Sequence, residues 1–550
     1  MSRALAIVLL LGALSFSAGL GRTAIGDSDE AFYAEAGREM IQSGDWLTPQ
    51  YNFEHRFQKP ILFYWLVAAA YLVAGVGEGA ARIWSAFAGL ILVYLAYAAA
   101  RRWYDELSGL FAGLITATSF GYAAVAHLAL PDLPLACFVT AGIYCGIVAV
   151  ETRGAARSWT VAAGGAIGLA CLTKGPVGIA LPAMVLVAIG VMERRVLLEW
   201  RAKAALATFV AILTSAPWYV AMIAIHGIGY AEGFFVGDNL ERFATSRFNE
   251  PRAIWFYLPI LAGGMLPWSV FFPLWLVRAW RAVTRVSPIG RLEGRFLLWS
   301  LLPLLFFTVS IGKQPRYILP ILPPLAILMG RTLAARIERA RGRVVRDPLV
   351  RGCAVTAGAL LVALGGLMAR ARPVLAPLDN GASFQVWVAI VMASGILLAT
   401  VALRGRVHLI PWAVAIATAV SLATVQRGIL APGIEEPVTR MAALIRQHRA
   451  GNEPIGTYQV MVRNLVFYTG LKQADLYDDG QTVAFLSGSE PVLCVIGVED
   501  LDRLATQHGL RVRRLGGFPY INTAALKIRT LVFPDPAEDI TSAYLVTNQP

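Results

Sequence analysis

Three carboxylates stand close together near the start of the chain, in Asp27-Ser28-Asp29-Glu30, directly after a first apolar run. At the mouth of a membrane protein such acids must be solvated, paired or used. They can act as a catalytic or orienting acid or as part of a ligand set. They can equally open a helix, because Ser28 and Asp29 are good N-caps and acids favour the first turn. Arg56 and Lys59 follow in Phe53-Glu54-His55-Arg56-Phe57-Gln58-Lys59-Pro60. An arginine fork and a lysine point charge can clamp a phosphate together, or simply anchor the chain at an interface. Glu54 and His55 alone are weak evidence for a metal site. Asp132 sits alone in Leu130-Pro131-Asp132-Leu133-Pro134, either solvated or turned inward to orient a cation. Lys174-Gly175-Pro176, Asn239-Leu240-Glu241-Arg242-Phe243 with Arg247 and Arg252, and Lys313-Gln314-Pro315-Arg316-Tyr317 complete the set. Their cations suit anionic lipid headgroups or convergence on one anionic substrate.

The elements that must hold these residues are membrane helices. Of 550 residues, 57% are hydrophobic and 15% charged, and the mean hydropathy is +0.60. Spans are expected at 4–21, 81–100, 106–127, 133–150, 157–172, 175–192, 204–226, 253–277, 294–311, 316–333, 353–369, 384–403 and 408–425, about thirteen in all, each near the ~20 residues a bilayer needs. The first run could pass for a signal peptide, but the spans that follow favour a retained helix. The apolar stretch 61–78 is read as re-entrant or lying at the membrane surface. With that choice nearly all basic clusters, from Arg101/Arg102 to Arg404/Arg406, fall on one side, which is then cytoplasmic. The net charge of +13 thus reflects loop placement, and nothing suggests nucleic-acid binding.

The opposite, outer side receives loop 22–80, loop 227–252, the Asp132, Lys174 and Lys313 turns, and the tail. Ala31–Ile41 reads as an amphipathic helix on the membrane surface. The chain divides into a membrane domain, 1–430, and a soluble outer α/β domain, 431–550. In the latter, Thr457–Val462 and Val492–Val498 read as strands, Met441–His448 and Leu501–His508 as helices, and Asp479-Gly480 as a turn. The five cysteines have no metal-type spacing and suggest no disulfide framework. No Walker loop, dinucleotide fingerprint or nucleophile elbow is present in a plausible setting. A transporter would place its ionisable residues deep in the spans, whereas here they gather at the outer mouths.

The run Asp29-Glu30-Ala31-Phe32-Tyr33-Ala34-Glu35 … Arg38-Glu39-Met40 … Ser43-Gly44-Asp45-Trp46 … Arg56-Phe57 … Lys59-Pro60 resembles the opening of the bacterial lipid A aminoarabinose transferases. Leu172-Thr173-Lys174-Gly175-Pro176, Arg242-Phe243 and Gly312–Pro320 fit the same family in order. The resemblance covers most of the membrane domain, and the opening and Gly312–Pro320 are its most specific parts. Gln58 and Phe32 depart from it, standing where a glutamate and a polar residue are expected.

The resemblance implies a GT-C membrane glycosyltransferase of the bacterial inner membrane. Its outer, periplasmic site would move 4-amino-4-deoxy-L-arabinose from undecaprenyl phosphate to a lipid A phosphate, a change that supports polymyxin resistance. The implied partners are that donor, lipid A and membrane lipids. No cofactor is required for certain, and a divalent metal is left open. The leaving group is a polyprenyl phosphate, whose growing charge positioned cations should stabilise. That role falls to Arg56, Lys59 and Arg242, with Lys313 and Tyr317 as further phosphate contacts, in a single inverting displacement. Asp29 and Asp132 are the catalytic candidates; Asp27, Glu30 and Lys174 are secondary ones. A phosphate acceptor is already ionised, so Asp29 has little proton to remove and can instead orient the acceptor, the sugar amine or a cation. The alternatives are a related transferase with another sugar or a protein hydroxyl acceptor, a flippase, and a lipid-binding scaffold.

Overall fold

The computed structural model describes residues 3–152, 156–193, 196–245, 251–276, 290–340, 347–375, 382–404, 407–430, 436–521 and 528–549. Arg247, Arg153, Arg194, Arg406 and the basic segments 278–289 and 341–346 lie outside these. The chain is a multi-pass helical membrane protein carrying a small sheet domain. Among the described residues eight helices are long and apolar enough to cross a bilayer, or ten if two bent pairs count as one span each. The other expected spans correspond to Arg3–Ser17 (α1), Ala156–Lys174 and Val177–Met192. Large apolar side chains such as Leu10, Phe87, Phe209, Leu213, Leu305 and Leu397 point outward, the surface a lipid tail would cover.

After α1 come α2 (Asp29–Ser43), the hairpin β1 (Gln50–Tyr51) and β2 (Glu54–His55), and α3 (Leu62–Ala74). The thirteen residues of α3 reach only about 20 Å, short of a ~30 Å hydrocarbon core. Helix α4 (Glu78–Trp103) then runs the full depth of the bundle.

Two expected spans are broken. Glu106–Ala117 (α5) and Phe120–Ala126 (α6) meet at 52°. Between them the Thr118 and Ser119 hydroxyls donate back to the carbonyls of Leu114 and Ile115, a bond that bends helices. Tyr257–Gly264 and Trp268–Leu276 meet at 104°, at Gly263, Gly264 and Pro267, where the helix loses both propensity and a donor. Asp132–Glu151 (α7), Ala156–Lys174 (α8) and Val177–Met192 (α9) pack in sequence, and Val196–His226 (α10) lies against α8. Further on, Gly358 and Gly395 bring the helices Pro348–Arg370 and Ala382–Leu403 so close that a Cβ on either would lie about 2.5 Å from the other's carbonyl oxygen. Small residues serve this purpose in membrane helix packing.

The outer domain is a five-stranded mixed sheet in the order β4-β3-β5-β7-β6. Its strands are β3 (Ile455–Tyr458), β4 (Gln473–Leu476), β5 (Leu493–Gly497), β6 (Arg513–Tyr520) and β7 (Thr541–Thr547). The parallel strands β3 and β5 are buried throughout, as strands covered on both faces must be. One face packs Ile455 and Val495 under Met441 and Ile445, the other Cys494 and Ile496 under Leu501 and Leu504. The expected strand 457–462 is shorter because Gln459 and Met461 adopt left-handed backbone. Asp479-Gly480 opens a helix, Asp479–Leu486, capped by Asp478, instead of forming a free turn.

Candidate functional site

The first outer loop is tied down before it is used. Arg82 on α4 reaches Glu30 through Nε at 2.8 Å and Nη2 at 3.2 Å. It also donates to the carbonyls of Leu20, Thr23 and Ala24. Glu30 accepts in addition the backbone N–H groups of Gly26 and Ala129. Both side chains are almost wholly buried. Glu30, a secondary site candidate, is therefore structural: it fixes where α2 begins. Asp27 is committed as well, accepting the backbone N–H groups of Arg463 (2.7 Å) and Val462 (3.3 Å) of the outer domain.

Helix α2 differs from its expected place on the membrane surface. It is buried on most sides, by α3 and by Leu465–Thr469 of the outer domain. Its charged face is internal, with Arg38 paired to Glu35. Burial and the adjoining Glu35 push Glu39 up to about 8.

Ser28 caps α2 and places Asp29, half exposed, at the first helical position. There Asp29 pairs with Arg316. Partial burial works against its ionisation, but the charges of Arg316 and Arg463 outweigh it and hold the carboxyl below its ordinary range. Arg316 Nε lies 3.4 Å from Asp132 Oδ2. Asp132 opens α7 and is buried, turned to the bundle interior; its Oδ1 accepts from Lys174 Nζ at 2.6 Å. Lys174 Nζ in turn stands 4.5 Å from the ring centre of Tyr317. Asp29, Arg316, Asp132 and Lys174 thus form one alternating chain of charge, built from α2, the turn Pro315–Ile321, α7 and α8. Arg316 was visible in the sequence only as a neighbour of Lys313; nothing in the spacing showed that it would bridge the two acids.

Two clefts flank this chain. One, of about 560 Å³, has apolar walls from Leu135, Val177, Ala180, Phe235, Phe306 and Phe307, and a cationic end with Lys59, Lys174, Arg242 and Arg316. Lys59 has no hydrogen-bond or ion-pair partner among the described residues. Its low-dielectric surroundings, with Arg242 and Lys174 nearby, push its ammonium down to about 7. Arg242 pairs with Asp238 one helical turn earlier, at 3.5 Å. Among the described residues the buried hydroxyl of Tyr230 has no hydrogen-bond partner, while that of Tyr64 lies beside Arg56.

The other cleft, of about 660 Å³, is polar and lies between the first outer loop and the outer domain. Arg56 is there and not in the apolar cleft, its guanidinium carbon 3.7 Å from the ring centre of Phe32. Lys313 also departs from its expected role. It is buried beside the clefts, and its ammonium donates to the carbonyls of Ser310 (2.6 Å) and Arg252 (3.4 Å). His55 has His226 as its neighbouring ring. Among the described residues no three His, Cys, Asp or Glu side chains gather as metal ligands.

Against known proteins, a family model described as dolichyl-phosphate-mannose-protein mannosyltransferase matches residues 25–230. An undecaprenyl phosphate-alpha-4-amino-4-deoxy-L-arabinose arabinosyl transferase of Pseudomonas fluorescens is 36% identical over 323 residues, 58% of this chain and 54% of that protein. The transferase of the same name from Edwardsiella ictaluri is 35% identical over 359 residues, 64% of this chain and 61% of the other. The chain thus spans somewhat over half the length of the curated relatives it matches. The crystal structure of ArnT from Cupriavidus metallidurans bound to undecaprenyl phosphate superposes with a TM-score of 0.75 at 25% identity, covering 99% of this chain and 97% of that one.

Proposed function

We propose that this chain transfers 4-amino-4-deoxy-L-arabinose from undecaprenyl phosphate to a phosphate of lipid A, at the periplasmic face of the inner membrane. One observation carries the reading: a lysine without a hydrogen-bond or ion-pair partner among the described residues, faced by two further cations, in the lining of an apolar cleft. A cation pushed toward neutrality by burial and by neighbouring cations is relieved by an anion, and the apolar walls suit a polyprenyl tail. The relatives named for undecaprenyl phosphate and aminoarabinose support the donor.

Lys59 and Arg242 hold the donor phosphate, and Tyr317 completes the wall beside it. As the sugar C–O bond breaks, charge builds on the departing phosphate, and these fixed cations lower that barrier. An acceptor phosphate oxygen attacks from the opposite side, inverting the anomeric centre. Asp29, held ionised by Arg316, accepts no proton from such a nucleophile; it orients the attacking group and the sugar amine. Asp132 and Lys174 keep Arg316 in place.

The experiment is transfer by the purified chain from undecaprenyl-phosphate aminoarabinose to lipid A, read by mass spectrometry. The expected result is lipid A heavier by one aminopentose. The match of residues 25–230 to protein mannosyltransferases favours a second reading, a protein hydroxyl acceptor. Mass gained by protein and not by lipid would establish it.

A further inference from the structure

The polar cleft has no part in holding the donor, yet it is built with care. Two of the four non-glycine residues with left-handed backbone among the described residues line it, Asn52 at the hairpin and Gln459 on the C-terminal domain, and the other two, Phe53 and Met461, adjoin lining residues in the chain. Side chains rarely adopt that conformation, and such positions cluster where geometry is fixed for a ligand. The two sides are joined at the rim, where Asn52 exchanges two hydrogen bonds with the backbone of Gln473.

The charges of the cleft do not cancel. Of its acids, Asp27 is bound to backbone N–H groups and Glu54 pairs with Lys472 at 3.0 Å. Burial and the nearby Glu54 push the Asp475 carboxyl upward, while Arg463 pulls it the other way. Two guanidinium groups remain on one ring, with Arg56 at 3.7 Å and Arg463 at 5.2 Å from the centre of Phe32. Among the described residues Arg56 Nε is buried without a hydrogen-bond partner. Arg463 lies 3.9 Å from Asp29 Oδ1 and also faces Asp475. Two arginines braced on an aromatic face form a rigid fork for a phosphate.

We propose that the polar cleft is the acceptor site, in which Arg56 and Arg463 on the Phe32 ring hold the phosphate of a phosphorylated glycolipid headgroup beside Asp29. The assignment rests on the transferase reading above. It makes the outer domain part of the active site, through a residue the membrane domain cannot supply. The backbone N–H of Arg463 binds Asp27, and alanine or lysine at this position keeps that donor, so the side chain can be changed without removing the contact.

The test is lipid A binding and transfer with full-length protein in nanodiscs, comparing wild type, Arg463→Ala, Arg463→Lys and Phe32→Ala. Arg463→Ala should weaken lipid A binding about tenfold or more, and raise the acceptor KM equally with the donor KM unmoved. Arg463→Lys should recover part of the loss and Phe32→Ala should lose less. Dephosphorylated lipid A should bind wild type as poorly as lipid A binds Arg463→Ala. Transfer with an unchanged acceptor KM in Arg463→Ala overturns the site while the transferase reading stands. Arg463-dependent binding of lipid A without any transfer overturns the transferase reading and leaves the site.

Discussion

Arg82 and Lys59 are both sequestered cations, and they are opposites. Arg82 meets a carboxylate and three carbonyls. Lys59 meets none and faces other cations. A buried charge with every donor satisfied holds a structure together; one left without partners in a closed cleft is held ready for something else. The distinction separates the rest of the outer charges. Glu30, Asp27 and Lys313 fall with Arg82, whereas Arg56 and Arg463 are only loosely satisfied, Arg56 braced on Phe32 and Arg463 3.9 Å from Asp29.

The contrast can be broken most forcefully at Arg82. Arg82→Ala leaves Glu30 buried and unpaired, and should cost about 3–5 kcal/mol, read as a lowered thermal midpoint in detergent. A midpoint within a degree or two of wild type would show that the ion pair is not what seats the loop. Asp29→Asn should reduce transfer by about 10²–10³-fold with the thermal midpoint kept; near-normal transfer would move the orienting role elsewhere. Lys59→Ala should raise the donor KM by about 10–100-fold, the worth of a charge-assisted contact, and leave stability little changed.

A smaller effect sharpens the case through its sign. Lys59 is charged below about 7 and neutral above it, while a phosphodiester donor keeps one charge throughout. The donor KM should therefore rise as pH climbs through 7. Lys59→Arg, which stays charged, should flatten the curve. A profile identical in both proteins would detach the inflection from this residue. The smallest expected effect is that of a chelator. The cations already supply the charge a divalent ion would bring, so we expect transfer to survive EDTA, and a loss restored by added metal would reverse that view.

Much of this arrangement was legible in the sequence. Apolar runs of sufficient length mark the helices, and of the turn acids and cations Asp29, Asp132, Lys174 and Arg316 come together. Sequence patterns reach less far where contacts are long-range. Asp29 and Arg316 are 287 positions apart, and no periodicity connects them. Nor does spacing reveal which of two neighbours does what: Glu30 and Asp29 are adjacent, yet one is locked to α4 and the other faces the clefts. The tail looked independent of the site because its pattern reports only its own core. Arg463 lies in an irregular stretch between β3 and the helix Leu465–Thr469, where pattern carries no signal.

The seam closed by Asn52 and Gln473 has one last implication. It lies at the rim of the polar cleft and outside the apolar one, so a small molecule wedged there would part Arg463 from Phe32 without entering the polyprenyl path. Such an inhibitor would silence the protein at any concentration of the donor, and raising the donor level would give the cell no escape.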